Sequence, residues 1–204
     1  MKKIILTAAA VFAFSFANAQ SNEATDNGFS EGDKFVEGGF SIRSSDSGAP
    51  NDVSSSFSFT PKMGYMLTDA WAIGGFLDFA GAKQNDNDKT GIFGIGAFAR
   101  YYFLSLGASR SFNAYGELGL GYSSISNNPN IGNTTNNSAM NANIDLGMNY
   151  FFTPHFAATF TLANILSYNN SNPENGSNTS NLEVNINLFN NIFAQPQFGL
   201  LYKW

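Results

Sequence analysis

The sequence predicts an all-β protein, a closed up-and-down antiparallel barrel of eight strands. Three observations point there. Apolar and polar residues alternate with period two through about eight segments, at 34–43, 54–67, 71–80, 92–103, 112–124, 139–152, 155–167 and 181–204. Short and long connections take turns between them, as when consecutive hairpins close a sheet on itself. Helix-favouring composition is weak, while glycine (20) and phenylalanine (21) are unusually frequent.

The chain opens MKKIILTAAAVFAFSFANAQ. Two lysines, an apolar core from Ile4 to about Ala17, and small residues at Ala17 and Ala19 form an export signal, with cleavage expected between Ala19 and Gln20. The apolar core is too short for the roughly twenty residues of a spanning helix. The expected organisation is therefore a signal peptide over 1–19, an N-terminal polar segment over 20–33, and one barrel domain over 34–204. Losing Lys2 and Lys3 leaves eight basic against fifteen acidic residues, a formal charge of −7, which argues against nucleic acid as a partner and for a solvated loop surface. With no cysteine there is no lipobox, disulfide or thiolate metal site, and a single histidine, His155, excludes a histidine-based metal cluster. No later run approaches 18 uninterrupted apolar residues.

Each segment has an apolar and a polar parity. In the first, Val36, Phe40 and Ile42 oppose Glu37, Ser41 and Arg43. In the second, Phe57, Phe59, Met63, Tyr65 and Leu67 oppose Ser56, Ser58, Thr60 and Lys62. In the third, Trp71, Ile73, Leu77 and Phe79 stand against Asp78. The fourth, FGIGAFARYYF, divides into Phe93, Ile95, Ala97, Ala99, Tyr101 and Phe103 on one side and Gly94, Gly96, Phe98, Arg100 and Tyr102 on the other. In the fifth, Phe112, Ala114, Leu118, Leu120 and Tyr122 oppose Asn113, Glu117 and Ser123. The sixth sets Met140, Ile144, Leu146, Met148 and Tyr150 against Asn141, Asn143, Asp145 and Asn149. The seventh sets Phe156, Ala158, Phe160 and Leu162 against Thr159 and Thr161. In the last, Leu182, Val184, Ile186 and Leu188 oppose Glu183, Asn185 and Asn187, and the apolar parity returns at Phe198, Leu200, Tyr202 and Trp204. This segment exceeds a spanning strand, so it is expected to project above the membrane, with Pro196 at a bulge or unpaired position. The tight connections are Thr68-Asp69-Ala70, the turn around Leu106-Gly107-Ala108, and Thr153-Pro154; the long polar ones are 44–53, 82–91, 126–138 and 168–180.

Apart from Lys34, every charge inside the segments falls on the polar parity: Glu37, Arg43, Lys62, Asp78, Arg100, Glu117, Asp145, Glu183 and Lys203. Parity does not say which face is inside. A soluble lipocalin-like barrel turns its apolar face inward; an outer-membrane barrel turns it to lipid. Three features favour the second. Aromatic residues gather beside the short turns, at Tyr65, Trp71, Tyr101, Phe103, Tyr150, Phe152, Tyr202 and Trp204, as at a membrane interface. Eleven tilted residues span roughly 25 Å, the height of the lipid-facing band. The polar face is rich in glycine (Gly39, Gly64, Gly74, Gly94, Gly96, Gly119, Gly121, Gly147), which suits a narrow lumen where side chains from opposite walls interlock.

The fold expected is thus a closed up-and-down antiparallel eight-stranded transmembrane β-barrel, preceded by a signal peptide. Arg100 then faces the lumen; on the lipid side near the midplane it would cost about 2–4 kcal/mol. The nine charges form an expected lumen ion-pair network: Arg100 with Glu117 and Asp145 beyond it, Lys62 near Asp78, and Lys203 near Glu37. Four positive against five negative charges suggest a cross-linked plug more than an ion-selective conduit.

GYMLTDAWAIGG (64–75), FARYYF (98–103) and the terminal FGLLYKW (198–204), with the export signal, resemble the small OmpA/OmpX-like outer-membrane β-barrel family, often termed porin-family proteins. The resemblance covers essentially the whole mature chain. It implies residence in the cell outer membrane of a Gram-negative bacterium, and a structural, adhesive or stress-related surface role. It also implies recognition by the barrel-assembly machinery through the C-terminal aromatic, here Trp204 where phenylalanine is usual. No peptidoglycan-binding domain is expected after Trp204.

Tempting chemistry has plainer readings. Asp86-Asn87-Asp88 with Thr90 and Gly91 begins like a calcium loop, but Ala97 stands where the twelfth-position glutamate belongs. Asn133, Asn136, Asn169, Asn175 and Asn178 head N-x-S/T sequons, read here as Asn/Ser-rich loops. His155 follows a tight turn, with no strand-borne serine to activate. The carboxylates of the polar face are interspersed with bases, so ion pairing explains them more simply than acid–base catalysis. The glycines of GIGAFAR alternate within a strand and cradle no phosphate.

A non-enzymatic monomer results, with no catalytic, metal or cofactor site. Its expected partners are outer-membrane lipid, the assembly machinery, and an extracellular partner at the Asn-rich loops. A narrow porin-like channel and a soluble periplasmic ligand-binding barrel are the alternatives, with an outer-membrane enzyme third.

Overall fold

The computed structural model describes residues 27–46, 53–84, 88–107, 109–129, 133–174, 176–185 and 197–204. Nine strands form: β1 (Lys34–Asp46), β2 (Val53–Met66), β3 (Trp71–Gln84), β4 (Asp88–Leu106), β5 (Phe112–Asn128), β6 (Thr135–Phe151), β7 (Phe156–Asn172), β8 (Thr179–Val184) and β9 (Gln197–Lys203). Each pairs antiparallel with the next through β7. β8 and β9 then lie along the same edge of β7, against residues 166–171 and 156–161, and β9 closes the ring on β1 through Phe35–Phe40. The ring therefore has eight staves, the last in two pieces. The expected unbroken segment 181–204 becomes these two strands; Ile186, Asn187, Leu188 and Pro196 lie outside the described residues, as does the export signal.

The alternating residues turn outward on their apolar side. Phe57, Ile95 and Leu120 are 56, 57 and 56 % exposed, whereas Arg100 is fully buried within the barrel. That arrangement excludes the lipocalin-like alternative, which requires the inverse.

Strands run further into the polar stretches than their composition suggested. β3 extends to Gln84 and β4 begins at Asp88, so most of 82–91 is ladder and Thr90 and Gly91 belong to a strand; Asp86 and Asn87 lie outside the described residues. Cross-strand hydrogen bonds sustain the extensions: the Thr90 hydroxyl donates to Asn127 Oδ1 at 3.0 Å and Asn170 Nδ2 donates to Ser180 Oγ at 2.8 Å. Polar residues do not oppose a strand whose two faces are both wet. β5, β6 and β7 reach 17 residues each, against 13 or 14 for β1, β2 and β3.

β7 breaks the alternation. Its register against β6 shifts twice, skipping Leu162 and Ile165, so inward positions fall at Thr161, Asn164 and Ser167, three apart. Leu162, expected on the apolar parity, consequently lines the lumen.

Candidate functional site

The lumen has two storeys. At the short-turn end the segment before β1 folds into the barrel mouth. Ser30 to Asp33 make a turn closed by Asp33 N–H donating to Ser30 O at 3.1 Å, with Gly32 at φ 90°, a conformation that favours glycine. The turn aims Phe29 inward, where its ring lies 4.8 Å from Tyr102, 5.2 Å from Phe151 and 5.4 Å from Phe35 between centroids. Phe29, Phe35, Met66, Tyr102, Phe151 and Leu201 are all buried. Arg110, itself in the left-handed region at φ 48°, donates from Nη1 to Phe29 O at 3.0 Å. Asn27 N–H donates to Ser109 O at 2.8 Å. Lys203 donates to Gly28 O and lies 3.1 Å from Asp33 Oδ2. Residues 27–33 of the polar lead-in thus form a plug with an aromatic core.

Above the plug sits Arg100. Its register partner is Glu117, whose Oε2 accepts from Nε at 2.7 Å and lies 2.6 Å from Nη2. Nη2 is too poorly aligned there for a hydrogen bond and has none among the described residues. Nη1 donates to Glu37 Oε2 at 2.9 Å and to the Tyr102 hydroxyl at 3.2 Å. The guanidinium carbon stands 4.0 Å from the Tyr115 ring centroid. Lys62 pairs with the other oxygen of Glu117. Asn149, fully buried, donates to the Tyr102 hydroxyl at 3.2 Å, while its Oδ1 has no partner among the described residues.

Glycines make the packing geometrically feasible. A Cβ at Gly64 would overlap the Phe35 ring, and one at Gly96 the Phe76 ring. Where no side chain stands, the neighbouring strand's aromatic ring occupies the space a Cβ would take.

Two expected pairings differ. Lys62 meets Glu117, not Asp78: the register joining Phe59 to Phe79 and Lys62 to Phe76 puts Thr60 opposite Asp78, and the Thr60 hydroxyl donates to Asp78 Oδ1 at 2.8 Å. Lys203 meets Asp33, not Glu37, because it lies across from Phe35 while Leu201 faces Glu37. Asp145, opposite Glu117, accepts from Asn143 and from Asn164, the latter at 2.7 Å. Glu183 is exposed at the upper rim; of the Arg43 side chain nothing is described. His155 holds its turn to the last strand, with Nδ1 3.0 Å from Lys203 O.

Over this layer a cavity of about 490 Å³ opens toward the long connections. Asp78, Asp145, Glu183, Asn141, Asn164 and Asn169 are among its walls, and Phe76 is its apolar element on the β3 side. Among the described residues no three His, Asp or Glu side chains converge as metal ligands.

Outside, Tyr65, Trp71, Tyr101, Phe103, Tyr150, Phe152, Tyr202 and Trp204 are all exposed around the short-turn end. Trp71 lies 4.8 Å from Tyr101 and Tyr202 lies 5.8 Å from Trp204 between ring centroids. A second set, which the sequence reading did not single out, consists of Phe57, Phe79, Phe93 and Tyr122. It lies eight residues above Tyr65, Trp71 and Tyr101 along β2, β3 and β4, about 26 Å of strand. Equal spacing of the aromatics on three strands was the available signal.

The comparisons converge on one architecture. Residues 6–189 match the model of the outer membrane protein beta-barrel domain. The fold resembles the outer membrane protein OprG from Pseudomonas aeruginosa, at 18% identity and a TM-score of 0.51, covering 87% of this chain and 98% of that one. It resembles Neisserial surface protein A to the same degree, with 17% identity, a TM-score of 0.51, and 85% and 98% covered. No curated relative matches in sequence.

Proposed function

Because the chain belongs to the outer membrane protein beta-barrel domain family and resides in the cell outer membrane, we propose that it is a non-enzymatic surface barrel. It acts as a monomer whose rigid, closed body carries the long polar connections outside the cell, where they contribute to envelope structure or recognise an extracellular partner. Export through the 1–19 signal and assembly through the Trp204 aromatic accompany this reading.

The observation that carries it is the filled lower lumen. Arg100, Phe35, Phe151 and Leu201 leave between 0 and 1 % of their surface exposed, and Phe29 leaves 2 %. An eight-strand interior is just wide enough for side chains to fill, and here they fill it. The porin-like alternative requires that layer to be open. Purified protein in a planar bilayer is expected to give no single-channel steps, and steady large conductance would overturn the closed-body reading. For the surface role, replacing 129–134 and 173–178 with short Gly-Ser turns is expected to leave folding intact and reduce whole-cell attachment. Undiminished attachment to every tested surface would leave only the envelope-structural role.

A further inference from the structure

We propose that the upper-lumen cavity is a binding site for a small flexible molecule with two or more ammonium groups, a linear polyamine, entering from the long-connection end. The site requires the plugged lumen but not the surface role, so failure of one does not imply failure of the other.

Its volume, about 490 Å³, lies in the range of small-molecule sites, and its described walls are paired strands apart from Asn185. Charge selects the ligand class. Arg100 and Lys62 answer Glu37 and Glu117. That leaves Asp78, Asp145 and Glu183 on the cavity wall with no basic side chain in ion-pair reach among the described residues. Neutral donors fix Asp78 and Asp145 without neutralising them: Thr60 for the first, Asn143 and Asn164 for the second. Carboxylates held in place and left charged inside a narrow walled space attract cations strongly.

Spacing selects among cations. The three acids stand on β3, β6 and β8, and no three converge as metal ligands among the described residues. A compact divalent ion would find no three of these carboxylates together among the described residues. A chain of methylenes with spaced ammonium groups meets them separately, each terminal ammonium offering three donors and each internal one two. The amide oxygens of Asn141 and Asn169 accept the remaining protons, and Phe76 offers a ring to the methylenes and the charge.

Spermidine titrated calorimetrically into the full protein, refolded in detergent at low salt, is expected to show saturable one-site binding that weakens as salt rises. Asp78→Asn and Asp145→Asn should each weaken it about tenfold, the scale of one charge-assisted hydrogen bond. Because Asp145 also holds two wall amides, Glu183→Gln is the companion variant, and heat-modifiable gel migration reports that each variant is folded. Asp69→Asn, in the β2–β3 turn at the opposite end, should change nothing. Absence of saturable heat, affinity unchanged in both Asp78→Asn and Glu183→Gln, or displacement by equimolar magnesium overturns the proposal.

Discussion

Arg100 on β4 and Glu117 on β5 stand directly across their strand pair, with two guanidinium nitrogens 2.7 and 2.6 Å from one carboxylate oxygen. The same guanidinium reaches Glu37 on β1, on the far side of an eight-stave ring. The ion pair is therefore a crossbar as well as a strand-to-strand contact.

Removing the cation leaves Glu117 with Lys62 alone and Glu37 with no basic partner in ion-pair reach among the described residues. Arg100→Met is expected to destabilise the barrel by about 3–5 kcal/mol. Adding Glu37→Gln and Glu117→Gln should recover part of that loss. Urea-unfolding midpoints of refolded protein in detergent measure both.

Gly64→Val and Gly96→Val force a branched side chain into space held by Phe35 and Phe76. Each is expected to cost about 1–3 kcal/mol or to trap the chain unfolded. At Gly116 an added Cβ meets nothing within 4 Å, so Gly116→Ala should be close to neutral in the same assay.

Phe29→Ala empties the centre of the plug. A loss of about 3–5 kcal/mol is expected by the same unfolding measurement. An unchanged midpoint would mean that the ring spends little time inside the mouth.

The lipid face gives a depth-dependent pair. Ala97→Arg, four residues from both Phe93 and Tyr101 on β4, should cost about 2–4 kcal/mol by urea unfolding, whereas Phe103→Arg in the lower belt should cost about 0–1 kcal/mol.

The chain's two tryptophans, Trp71 and Trp204, share that lower belt. In bilayers of brominated lipids, bromine near the headgroups should quench their fluorescence more than bromine near the chain ends. The reverse order would move the belt to the bilayer centre.

Much of the architecture is legible because burial on one face imposes period two, and period two survives in Ile95, Ala97, Ala99 and Tyr101 without any structure. Partner choice is not. Lys62 looks close to Asp78 in sequence, but its long stem crosses the lumen, and which carboxylate it meets depends on register and on side chains from β5. The role of Phe29 was hidden because a lone aromatic in a polar lead-in carries no period. The bulges of β7 were hidden for the opposite reason: two insertions restore the parity that each one breaks, so Thr161 and Ser167 look continuous while Asn164 between them turns inward. The cavity follows from those shifts and could be located only once they were known.

The longer reach of β5, β6 and β7 has a consequence for display. Starting from one interfacial belt, they climb about three residues beyond β1 to β3, on the order of 10 Å. The rim is cut on a slant, like a quill. A tag spliced between Asn128 and Thr135 is expected to stand clear of the lipid headgroups sooner than one placed after Asp46.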